Sequence, residues 1–164
     1  MNQRQPLGAA PLVITLLCLA AWLGGCWYVS SKAMPEASIY ESPVFATVAE
    51  ARKHLSIPLP DEAKNIQFAG YREWIAAEDL MRFMAPVEVC LKHAAVISPG
   101  KQLTPLSAQE LAISTRQTFG RNFKDSSWFD LSKATNVVHV GGGSHKAEIW
   151  IDQDRGVFYY LYTD

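Results

Sequence analysis

The residues best suited to chemistry lie in one short stretch, Gly141-Gly142-Gly143-Ser144, flanked by His139 and His145. Consecutive glycines let backbone N–H groups close on an anion, and an imidazole can move a proton or bind a metal near neutral pH. A small hydrolase or transferase would draw on His139, His145 or a nearby aspartate. The stretch matches neither the P-loop nor the dinucleotide fingerprint. A turn leading into the last strands explains it too, because glycine clusters mark turns first.

Other candidates are thinner. Asp152-Gln153-Asp154 resembles the start of a calcium loop, but the glutamate needed at loop position 12 is Thr163. A hairpin turn with solvated carboxylates is the expectation there. Cys90 and His93 are three apart on an apolar helical pattern, a spacing that can share a metal. No second Cys/His pair joins them, so a buried thiol with His93 at the helix edge is expected. Gly-x-Ser-x-Gly, His-Glu-x-x-His and Ser-x-x-Lys are all absent. No catalytic set, metal or cofactor is therefore assigned.

A binding surface is the other kind of site. Lys146–Asp152 and Val157–Tyr162 both alternate apolar and polar residues, and Gln153-Asp154-Arg155-Gly156 joins them. A three-residue G1-bulge turn would set Ile151 opposite Tyr159 and Ile149 opposite Leu161. Trp150, Phe158, Tyr160 and Tyr162 would then form one aromatic stripe. Either a covering helix or loop buries that stripe, or it is an exposed platform for a protein or small ligand.

These side chains need a scaffold. Thr47 and Glu50 form a capping-box pair opening a short helix to about Leu55, and Ile57-Pro58-Leu59-Pro60 stops it. Asn65–Trp74 alternates with Ile66 and Phe68 on one face, which predicts a strand. Leu80–Met84 fits a second strand, although Ala76–Met84 could also be helical. Pro86 opens a helix to Ser98, where Val87, Cys90, Leu91, Ala94 and Ile97 keep helical spacing and Pro99-Gly100 ends it. Ser107 and Glu110 form another capping box, with a helix over about 108–117. Phe119–Lys133 reads as loop with a short extended piece. The whole predicts an α+β domain: the C-terminal hairpin 146–162 joins strand 65–74 in an antiparallel sheet packed against helix 86–98.

Charge places the chain. From Gln5 to Ser31 there is none, and Leu12–Val29 is almost wholly apolar, just long enough to span a bilayer. Trp27 and Tyr28 suit the headgroup boundary. Arg4 and the amino terminus precede the segment, which favours a cytoplasmic N-terminus and a domain outside. Leu23-Gly24-Gly25-Cys26 resembles the bacterial lipobox. Over these four residues the resemblance implies cleavage before Cys26 and a diacylglycerol on its sulfur. A retained helix is the alternative, since Trp27-Tyr28-Val29 prolongs the apolar run beyond that point. Either anchor gives the same organisation: membrane segment 1–31, Pro-containing tether 32–43 and extracytoplasmic domain 44–164.

Without Arg4, a chain of formal charge −1 retains −2, which argues against nucleic acid as partner. Cys90 is the one cysteine of the expected domain, so no disulfide can form within it. A membrane-anchored, non-enzymatic binding or envelope-associated domain is the functional expectation, with the hydrolase reading as alternative.

Overall fold

The computed structural model describes residues 37–55, 58–73, 76–116, 123–141 and 147–164, with backbone alone at 115 and 116. Ala37–Asp164 forms one compact unit. Its elements are β1 (Ser38–Glu41), β2 (Phe45–Thr47), α1 (Val48–Ala51), β3 (Lys64–Arg72), β4 (Ala77–Met84), α2 (Val87–Ile97), β5 (Thr104–Pro105), α3 (Ala108–Arg116), β6 (Val137–Val140), β7 (Ala147–Asp152) and β8 (Val157–Thr163). The strands make one antiparallel sheet in the order β1-β3-β4-β8-β7-β6-β5, with β2 also paired to β3. This is a mixed α+β arrangement.

Local signals account for the helices. Thr47 Oγ1 accepts the N–H of Glu50, whose carboxylate accepts the N–H of Thr47, closing the box that starts α1. Ser107 and Glu110 do the same for α3. Pro86 is the N-cap of α2, and Gly100 beyond its end takes a positive φ of 76°. Only one face of α2 meets the sheet. Cys90, His93 and Ala94 are buried, whereas Leu91 is half-buried.

Both faces of the sheet are covered. On one, Ile66, Met81, Phe83, Ile149, Ile151 and Phe158 pack under α1 and α2. On the other, Leu80, Trp150, Val157, Tyr159 and Leu161 meet Phe123, Phe129, Leu131 and Ala134. The segment expected to be loop with an extended piece thus caps the second face, and its described residues contain no strand. Tyr159 Oη donates to the carbonyl of Asp130 at 3.1 Å, fixing that cover to β8.

Several expectations need correction. Ser38–Glu41, placed in the tether, is the edge strand β1. Of the two readings of Ala76–Met84 the strand holds: β4 pairs with β3 and links it to the C-terminal hairpin in the same antiparallel sheet. The strand expected over 65–74 runs Lys64–Arg72; residue 74 lies outside the described residues.

The hairpin register differs by one residue. Asp152 pairs with Val157, leaving a four-residue loop, so Ile151 faces Phe158 and Trp150 faces Tyr159. The cause is Asp152, which is fully buried rather than solvated. Its Oδ1 accepts the N–H groups of Asp154 and Arg155 at 3.1 and 3.3 Å, and its Oδ2 accepts Nε–H of Arg155. An aspartate bonding its own chain two and three residues on holds the turn open by one residue. Because side chains alternate with period two, that slip splits the expected stripe between the two faces.

Among the described residues no helix is long and apolar enough to cross a membrane. The expected anchor, Cys26 and most of the expected tether lie outside the described residues.

Candidate functional site

The structure disperses the aromatic candidates. Trp150 is fully buried on the face capped by Phe129, 6.2 Å from that ring. Phe158 is fully buried on the other face, stacked on Phe83 at 4.6 Å. Tyr160 and Tyr162 follow Phe158 along β8 and are half-buried. Tyr162 pairs with Asp79, and the Asp79 carboxylate takes two 2.6 Å bonds from the Arg72 guanidinium. Burial, then the Asp79 charge, pushes the Tyr160 hydroxyl pKa up. Burial and register thus place Trp150 on the opposite face from Phe158, Tyr160 and Tyr162, and the four do not form one exposed stripe.

Of the glycine stretch, His139 and Gly141 are described; Gly142, Gly143 and His145 lie outside the described residues. His139 sits on β6, its ring stacked on Trp150 at 5.1 Å. Its Nε2 is 3.4 Å from Glu148 Oε2. A Cβ on Gly141 would come within 2.6 Å of that nitrogen, so a side chain there would displace the His139 ring. Glu148 is a partner that sequence reasoning missed. It lies nine residues away in sequence, and the only signal was its place on an alternating strand.

Cys90 and His93 do not converge on a metal. Cys90 Sγ–H points at the Ala85 carbonyl, 3.7 Å away, and burial pushes the thiol pKa up to about 11. His93, expected at the helix edge, is buried with its ring edge-on to Phe83 and Phe158 at 5.6 and 5.3 Å. Its Nε2 has no hydrogen-bond partner among the described residues, and burial lowers its pKa. Among the described residues no group of three or more His, Cys, Asp or Glu could hold a metal.

One cleft lies at the sheet end that carries the β7–β8 turn. It encloses about 470 Å3 between Glu62, Lys64 and Asn65 on one side and Met84, Ala85, Pro86, Arg155 and Gly156 on the other. Asn65 is the one non-glycine with positive φ, 50°, among the described residues, at the irregularity where β3 slips against β4. Strained backbone of this kind persists only where surrounding structure holds it. The carbonyl of Gly156, φ 60°, accepts the Ala85 N–H at 2.9 Å. A Cβ there would lie 2.3 Å from the Ala85 oxygen. Buried Asp152 anchors Arg155 at the rim.

A second cleft of about 270 Å3 shares Glu62 and continues along α2 past Val89, Lys92, His93 and Val96. Together the two neighbouring clefts carry Lys64 and Lys92 against Glu62, Arg155 already paired with Asp152, and apolar lining from Met84, Pro86, Val89 and Val96. Sequence reasoning missed them because four separated segments build them.

No protein-family model matches the chain, and neither the curated proteins nor the solved structures give a match.

Proposed function

We propose that this chain is a membrane-anchored extracytoplasmic domain that binds a ligand and catalyses no reaction. The clefts beside α2 support the binding role. Lys64 and Lys92 against Glu62, with the Asp152-paired Arg155 at the rim and apolar lining beside them, suit a ligand with an anionic group and an apolar body. The location rests on the uncharged run from Gln5 to Ser31, whether it stays as a helix or is cleaved before a lipidated Cys26.

The test is titration of a chain beginning at Lys32 with dodecanoate, read by calorimetry. Binding is expected, and Lys64→Glu combined with Arg155→Glu should weaken it at least tenfold. Equal affinity in the charge-reversed variant, or no heat from either, would sink the clefts as the site.

One observation favours a second reading. The 3.4 Å approach of His139 to Glu148, with Gly141 against the ring, could orient an imidazole for proton transfer in a hydrolase built on the His139/Gly141–Gly143/His145 loop. Ester hydrolysis abolished by His139→Gln, with cleft variants unaffected, would replace the binding role with this one.

A further inference from the structure

We propose that two copies of this chain pair through β1, joining their sheets edge to edge. β1 ends the sheet, and among the described residues no strand lies outside it. Three of the five large exposed apolar side chains among those residues, Ile39, Tyr40 and Val44, sit on or next to this edge. Edge strands usually carry lysine, proline or a bulge against such pairing. Ser38-Ile39-Tyr40-Glu41 is short and ends in one charge, Glu41, whose carboxylate accepts the Lys124 N–H, but it carries no lysine, proline or bulge.

The ladder fixes which groups face out. The Ser42 N–H donates to the Phe68 carbonyl, and the Phe68 N–H donates to Ser42 Oγ, both at 2.8 Å. Backbone direction alternates along an antiparallel pair. Ser42, Tyr40 and Ser38 therefore turn their backbone groups to β3, and Ile39 and Glu41 turn theirs outward.

A two-fold axis that pairs antiparallel edges stands normal to the sheet, so one residue must face its own copy. Centring on Glu41 sets two carboxylates together. Centring on Tyr40 sets Ile39 against Glu41. Centring on Ile39 sets isoleucine against isoleucine, Tyr40 against Ser38 and Glu41 against Ala37, with no like charges opposed. The last register fits a second copy of this chain.

The same axis puts both Ala37 residues at one height, roughly 15 Å apart from strand rise and spacing. Both tethers can then enter one bilayer. That arrangement rests on the proposed anchor; the pairing itself does not. An edge of four residues buries too little for a tight dimer in dilute solution, and confinement to one membrane raises the effective concentration.

The test uses the full chain in membranes and in mild detergent. In a hydrogen-bonded pair the Cα atoms are about 5.5 Å apart, inside the range a disulfide spans. Oxidised Ile39→Cys should give a cross-linked dimer well above the native chain and above Asp61→Cys. Ile39→Lys should halve the detergent-solubilised mass while leaving the circular dichroism unchanged. A native monomer, cross-linking no greater than in Asp61→Cys, or cross-linking to a chain of another size would overturn the pairing. Sedimentation of Ile39→Lys with membranes reports the anchor separately. Its loss would count against the anchor and leave the cross-link to decide the edge.

Discussion

His93 shows how a single side chain can set the response of this domain to acid. Its ring lies edge-on to Phe83 and Phe158, with Nε2 unpartnered among the described residues. Burial holds its folded pKa below the ordinary histidine value. Above pH ~6.5 both folded and unfolded states keep the ring neutral, and the residue contributes no pH slope. As pH falls below that value the unfolded chain takes up a proton first, so stability drops by up to about 1.4 kcal/mol per pH unit. The drop ends once the folded pKa is passed. His93→Phe removes the proton acceptor while keeping an aromatic ring between the two phenylalanines. The expected result is a smaller fall in denaturation midpoint between pH 7 and 5 for the variant than for the native chain. Equal falls would place the acid response elsewhere. Cys90, beside it on α2, should resist maleimide at pH 7 until denaturant is added, because a thiol at about 11 offers almost no thiolate.

At the scale of elements, the hairpin register makes sharp predictions. Trp150 is fully buried under Phe129, so Trp150→Ala should cost ~3–5 kcal/mol, as for other large aromatic truncations. Tyr162 near the sheet end is half-buried, and Tyr162→Ala should cost under about 1.5 kcal/mol. Comparable midpoints in urea would restore a single stripe. Gly156→Ala should cost about 2–3 kcal/mol, since its positive φ and the Ala85 carbonyl both exclude a methyl group. The elements themselves were largely legible. The two capping boxes, the Pro86 helix and both hairpin strands declare themselves through spacing and cap residues. The edges were not. β1, β2, β5 and β6 span two to four residues each, too few for a period to show, and they exist because neighbouring strands pair with them. Register was illegible for a different reason. It turned on whether Asp152 faced water or bonded its own loop, and an aspartate near a glycine turn allows both. The clefts drew on Lys64, Arg155 and Val96, which no local pattern connects.

For the whole molecule, the uncharged run before Lys32 makes location the strongest functional expectation. A charge at the centre of a spanning helix costs ~2.5–3.5 kcal/mol on insertion scales, and Leu12–Val29 carries none. β1 begins at Ser38, so the chain between Val29 and the sheet can reach only about 30 Å when extended. On the proposed anchor, β1 is the element nearest the bilayer in sequence. The full chain should sediment with membranes, and a chain beginning at Lys32 should remain in the supernatant. Intact mass then separates the two anchors. A retained helix leaves the mass of the unprocessed chain, and Cys26→Ser changes it by the substitution alone. Lipidation gives a chain starting at a modified Cys26, and Cys26→Ser then blocks both acylation and cleavage. Trp27-Tyr28-Val29 prolongs the apolar run past the cleavage point, so the unprocessed mass is the expected result. Recovery of the full chain in the soluble fraction without detergent would remove the anchor and leave the clefts and the β1 edge to be tested on their own.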